Sequence, residues 1–206
     1  MLLRFFFIFL ISVVVSACCN KEPYEEARIA LSDKEMALIS YEFDDSIKFK
    51  HSEGFEFTFK TTSNNIIWYE ERDFCEVGCC GKPYFSFQTK TTVIESSYPN
   101  LRIEFSVGGR YNNYRKGILS INVNYNEASF FYDDSANVYC ETSNFNTCHD
   151  TISINSTTYF NVMERLFNDH IQNSDTSVLS PYSVFYNEEG LLQFKMTNNE
   201  TYSVVK

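Results

Sequence analysis

A mainly β fold is what the side-chain periodicity of this chain predicts: an antiparallel sandwich, or a strongly curved half-barrel meander, with one short N-terminal helix. Three observations carry the prediction. Apolar residues alternate with polar ones in run after run, and the connectors between runs are two or three residues long. Aromatics make up 17% of the chain, while glycine and proline are scarce at 7 and 4. Successive side chains on a strand point to opposite faces, so each run offers one face to a core and one to water. That is the habit of antiparallel sheets wetted on one side. The 20 Phe and 14 Tyr supply ample core material, whereas a disordered stalk is poor in aromatics. Roughly ten strands in mostly sequential order are expected.

In chain order, Met1-Leu2-Leu3-Arg4 gives a short positive start, and Phe5 to Val15 an apolar run broken only by Ser12. Val15-Ser16-Ala17-Cys18 closes it. A basic start, an apolar stretch of about 7–15 residues and small residues before a cut make a secretory leader. The run falls short of the roughly 20 apolar residues of a membrane span. With a cysteine directly after the small pair, the site resembles a bacterial lipoprotein signal. The resemblance implies that residues 1–17 are removed and that Cys18 becomes the lipidated first residue. Two or more acyl chains hold a protein stably, at about 0.8 kcal/mol per buried CH₂. The expected location is therefore the bacterial envelope, at the outer membrane, with the bilayer as partner through the N-terminal lipid.

Residues 18–30 are expected to be a lipidated tether, since Asn20 to Glu26 is polar, holds Pro23 and has no periodicity. A single β domain is expected over 31–206. Ser32-Asp33-Lys34-Glu35 fits a capping box, in which a Ser oxygen and a Glu three residues on satisfy each other's backbone N–H groups. One or two helical turns should follow, through Met36, Leu38 and Ile39. Beyond Phe43 the period is two: Phe55, Phe57 and Phe59; Leu101, Ile103, Phe105 and Val107; Ile121, Val123 and Tyr125; Leu192, Phe194 and Met196. Asn126-Glu127-Ala128, Asn155-Ser156 and Glu188-Glu189-Gly190 have hairpin lengths, with Asn or Gly able to take positive φ. Tyr159 to Ile171 carries both helical and strand signals, and is read as strand through about Met163 and then a loop or helical turn.

Val184 to Phe194 (VFYNEEGLLQF) resembles the terminal hairpin of many Bacteroidota β-rich lipoproteins, where an aromatic strand turns through a glycine into an apolar one. Ile152 to Asn155 with Tyr159 and Val162, and Leu31 to Tyr41, are similar to theirs too. The resemblance implies an envelope-anchored β domain and brings no catalytic residues with it.

The chain's net charge is −10, and losing Arg4 with the leader makes it about −11. Nucleic acid is excluded as a partner, because its phosphates must be neutralised by Lys and Arg. Cys75, Cys79, Cys80, Cys140 and Cys148 lie beyond the anchor pair Cys18 and Cys19, and an oxidising compartment makes disulfides their default. Cys140 and Cys148 flank a polar loop that a bridge would staple, for up to roughly 2–3 kcal/mol. Cys75 has Cys79 or Cys80 as partners, or the two clusters bridge each other, and five is odd. A zinc site from these cysteines with His149 has poor spacing, because adjacent ligands point apart on an extended backbone. No metal or other cofactor is expected.

No enzyme is expected either. A G-x-S-x-G elbow is absent, and a base needs a positioned partner that nothing in the sequence supplies to His51, His149 or His170. Acidic pairs such as Asp44-Asp45 lack the calcium-loop pattern and read as edge and loop solubility. The predicted role is non-enzymatic binding or structure at the envelope, with a glycan or an envelope protein as partner. The alternative is a carbohydrate- or small-ligand-binding protein using an aromatic sheet face. Trp68, Tyr69, Tyr98, Tyr111 and Tyr114 are the candidate stacking rings, with the loop Tyr111 to Arg115 after Gly108-Gly109 as the contact patch. Ser46, Ser135 and Thr151, each following Asp, resemble Bacteroidota O-glycosylation sites.

Overall fold

The computed structural model describes residues 22–72, 81, 83–109, 117–124, 126–132, 146–167 and 181–206. The strands are β1 (Glu25–Ile29), β2 (Ser46–His51), β3 (Glu56–Arg72), β4 (Tyr84–Ser97), β5 (Asn100–Gly109) and β6 (Gly117–Val123). They continue with β7 (Asn126–Tyr132), β8 (Asn146–Ile154), β9 (Thr157–Leu166), β10 (Pro181–Asn187), β11 (Gly190–Met196) and β12 (Thr201–Val204). One helix, α1 (Asp33–Ala37), accompanies them among the described residues. The ladder runs β7-β6-β5-β4-β3-β2-β12-β11-β10-β9-β8, an open antiparallel meander, and β1 joins β4 off this path.

Two compact units divide the chain: residues 31–67 with 88–206, and a smaller one holding the described residues among 1–30 and 68–87. In the smaller, Glu25 to Ile29 runs parallel to Tyr84 to Phe87. Here the structure departs from the tether expected over 18–30. Among the described residues β5 pairs with β4 from Thr89 onward, and β1 hydrogen-bonds the stretch 84–87 that precedes it.

The larger unit is strongly curved. Six ladder steps separate β5 from β10, about 29 Å in a flat sheet at roughly 4.8 Å per step. The rings of Phe105 and Tyr186 nevertheless lie 6.1 Å apart. The curl closes around one aromatic core that includes Phe49, Phe59, Ile94, Ile103, Phe105, Val107, Ile121, Tyr186 and Phe194. Strand β5 follows its expected alternation, with Leu101, Ile103, Phe105 and Val107 buried and the residues between them half-exposed.

Segment 31–41 fills the hollow of the curl. Its capping box forms: the Glu35 N–H donates to Ser32 Oγ at 3.2 Å, and the Ser32 N–H donates to the Glu35 carboxylate at 2.8 Å. Leu38, Ile39 and Tyr41 are buried. The Tyr186 hydroxyl donates to the Leu38 carbonyl, and the Leu191 N–H donates to Tyr41 Oη at 2.6 Å. Buried Lys90 donates from Nζ to the Ile39 carbonyl at 2.8 Å and the Met36 carbonyl at 3.2 Å. A cation there also suits the carbonyl end of the helix.

The hairpins show where local chemistry was legible. Asn155 and Ser156 both take positive φ, 50° and 67°, the requirement of a two-residue hairpin turn matched to strand twist. Asn126 to Ala128, expected as a connector, instead starts β7: Asn124 takes the turn at φ 47° and Val123 pairs with Asn126. On β11 the register shifts opposite Phe185 and Tyr186. Phe194 and Met196 therefore join the main core, while Leu192 turns to the other face with Ile154, Tyr159, Val162 and Phe185. The Tyr159 to Ile171 segment is strand to Leu166, three residues past the expected Met163.

Gly190 has φ 108°, and a Cβ there would collide with the Tyr41 hydroxyl. Gly190→Ala is expected to cost about 2 kcal/mol or more in urea unfolding, through strain and loss of the Tyr41 contact. Two of the buried phenols, Tyr41 and Tyr202, predict an alkaline limit. Burial raises Tyr41 well above its ordinary value. Burial, then the Glu200 carboxylate, push Tyr202 from 10.0 up to about 12. A pKa raised in the folded state means that stability is complete below pH 10, where the unfolded phenol is still protonated, and falls as pH climbs toward 12. The urea midpoint should therefore drop above pH 10, and Tyr202→Phe should flatten that drop.

Candidate functional site

The β4–β5 hairpin builds a groove of about 950 Å³. Its floor and walls are Phe57, Thr58, Lys60 and Thr62 of β3, the Glu95 to Tyr98 end of β4, Asn100 to Arg102 of β5, and Asn124. The turn between the strands is short because Ser97 pairs with Asn100. Ser96 Oγ donates to the Tyr98 carbonyl at 3.1 Å, which fixes the turn. Tyr98 is thereby held out at the rim, 78% exposed.

A train of rings leads inward from that rim. Tyr98 lies 6.3 Å from Phe55, which stacks on His51 at 4.5 Å. His51 meets Tyr202 at 4.8 Å, and Tyr202 stacks almost flat on Phe194 at 4.7 Å. His51 is buried, and its Nδ1 accepts the Glu53 N–H at 3.2 Å. Its Nε2 faces the Glu200 carboxylate at 3.6 Å. The Asn198 side chain, then the Tyr202 hydroxyl and His51, hold the Glu200 carboxyl below the usual range. The exposed ring is thus mounted on a rigid stack rooted in the core.

The guanidinium of the groove is locally compensated. Arg102 Nε lies 3.4 Å from Glu95 and its Nη2 2.8 Å from Glu104. Backbone bonds hold the arginine's own strand in place: its N–H donates to Asn124 Oδ1 at 3.1 Å, and the Asn124 N–H donates to its carbonyl at 3.0 Å. Lys60 adds one cation. The groove also presents one exposed ring, the hydroxyls of Thr58 and Ser97 and the amide of Asn100. These groups can stack on an apolar sugar face and exchange hydrogen bonds with hydroxyls.

Of the candidate stacking rings among the described residues, Tyr98 lies in this groove and Trp68 and Tyr69 do not. Trp68 and Tyr69 are exposed in the smaller unit but, as successive strand residues, face opposite sides and cannot form one platform. The guanidinium of Arg28 sits 4.2 Å over the Trp68 ring, and Tyr69 stacks on Phe87 at 5.8 Å. Tyr111 and Tyr114 lie outside the described residues, as do Cys18, Cys75, Cys79, Cys80, Cys140, Ser135 and His170. Ser46 and Thr151 are exposed, at the start of β2 and on β8. Cys148 and His149 are neighbours on β8, opposite Met163 and Val162. His149 Nε2 lies 3.0 Å from the Glu164 carboxylate and its ring stacks on Phe185 at 6.3 Å. Neither residue lines the groove, nor the second cleft beside α1 that Met36, Ile39, Asn64 and Lys90 border.

Sequence reasoning missed His51, Phe55, Arg102 and Asn124 as parts of one site. Phe55 and Arg102 sit in regular alternation and look like any core or wet-face residue, and the pairing of β2 with β12 that buries His51 is remote in sequence. The Tyr98-Pro99-Asn100 turn was the one local signal. No known family model matches this chain, and comparison with curated proteins and with solved structures finds none that is similar.

Proposed function

We propose that this protein is an exported, lipid-anchored, non-enzymatic binding module of the bacterial envelope, and that it holds a neutral, hydroxyl-rich ligand of the glycan class in the β4–β5 groove. The observation that carries the ligand reading is Tyr98: a ring 78% exposed, on a fixed turn, beside an arginine already paired with two carboxylates. With Arg102 so committed, an anionic ligand would have Lys60 alone to pair with among the described lining residues. Support for the anchor is the basic start, the apolar run and the Ser16-Ala17-Cys18 close. Among the described residues no helix is long and apolar enough to cross a membrane, so attachment falls to the acylated Cys18. In the same compartment Cys148 and Cys140 are proposed to be bridged, an oxidising environment making disulfides the default.

Glycan-array binding by the wild-type chain is expected to favour uncharged glycans and to drop at least about tenfold in Tyr98→Ala, one stacked ring being worth roughly 1.4 kcal/mol. Unchanged binding in that variant would overturn the groove as the site. Cys18→Ala is expected to move the chain from the detergent phase to the aqueous phase of a detergent partition, and continued detergent partitioning would overturn the anchor. Non-reducing peptide mass mapping should show a Cys140–Cys148 linkage.

A further inference from the structure

We infer that one face of the smaller unit, the row Ile29–Phe87–Tyr69, rests on the interface of the bilayer that holds the anchor; the inference depends on the lipid-anchor reading above. The row crosses three strands side by side. Ile29 pairs with Phe87 in the parallel β1–β4 register, and Phe87 stacks on Tyr69 of β3 at 5.8 Å, with ring planes 24° apart. Partners in register share a face, so the three side chains form one continuous apolar strip. Ile29 is 38% and Tyr69 47% exposed, so the strip is open along its two outer members. The opposite face is different in kind: Arg28 pairs with Ser86, and its guanidinium covers the Trp68 ring.

The occupant follows from reach. Cys18 and Tyr24 are six residues apart, so a chain fully extended at about 3.6 Å per residue spans no more than roughly 22 Å. Strand β1 starts at the next residue, and the Tyr84 N–H donates to the Tyr24 carbonyl at 3.0 Å. The start of the ribbon therefore lies no more than about 22 Å from the acylated cysteine, close enough for its face to reach the headgroup layer. A strip of one aliphatic and two aromatic side chains, one of them carrying a hydroxyl, has the amphipathic character that settles at the headgroup level. The surrounding charge chooses the lipid. Exposed Glu22, Glu25, Glu26, Glu70 and Glu71 flank the ribbon, and anionic headgroups repel them. Zwitterionic lipid is the expected surface.

Trp68 is the chain's single tryptophan, so fluorescence reads the opposite face in the wild type and the strip itself once the reporter is moved. The lipidated chain is reconstituted in phosphatidylcholine vesicles with and without brominated acyl chains, and recovered by flotation. Trp68→Phe with Tyr69→Trp should float with the vesicles and be quenched at least about twofold more than wild-type Trp68. Trp68→Phe with Ile29→Trp places a second reporter on the same strip from another strand and should agree. Replacing 30% of the lipid by phosphatidylglycerol should reduce quenching of both strip reporters. Floating chains whose strip reporters are quenched no more than Trp68 would overturn this inference and leave the anchor standing. Chains that do not float would overturn both.

Discussion

A sheet of this many strands, curled until its sixth neighbours touch, leaves a hollow that must be filled, and polar atoms must be satisfied on the way in. The hydroxyls of Tyr41 and Tyr186 meet both demands. Each ring adds bulk to the core beside Phe105, at 5.0 and 6.1 Å. Each hydroxyl ties the 31–41 segment to the β10–β11 hairpin. A buried hydroxyl without a partner costs about 1–3 kcal/mol, so packing and hydrogen bonding here specify the same geometry. Gly190 is part of that geometry, because the Tyr41 hydroxyl occupies the place a side chain would take. Lys90 completes it from β4, its ammonium held by two carbonyls of the same segment.

The groove inherits its rigidity from this core. The ring train from Phe194 through Tyr202, His51 and Phe55 to Tyr98 is a run of contacts between 4.5 and 6.3 Å. Each such pair adds about 0.5–1.5 kcal/mol beyond area burial. A ligand ring or sugar face placed on Tyr98 therefore meets a surface that is already ordered, and little entropy is lost on binding.

Sequence read well where the determining physics is local. Alternation located the strand of residues 101–107 and, through Ile121 and Val123, the end of the next one; the Ser32–Glu35 reciprocity located the helix, and Asn155-Ser156 located a turn, because each depends on neighbours within a few positions. It read poorly where the ladder decides. Glu25 to Ile29 has no apolar alternation and is a strand through its pairing with residues 84–87, far along the chain. Leu192 changed faces because of a register shift that its own sequence does not announce. His51 looked like an isolated imidazole, and its surroundings come from Phe55, Glu200 and Tyr202, two of which lie at the far end of the chain.

The place of β12 has a further effect on how the molecule is made. It lies in the middle of the ladder, between β2 and β11, so an early strand waits for almost the last residues before it gains its second neighbour. Tyr41 and Leu191, which meet through a hydrogen bond, are 150 residues apart in sequence. Closures of that span make folding slow. Half-made chains keep raw strand edges, and a cut ahead of residue 201 would leave two separate ladders with no seam to join them.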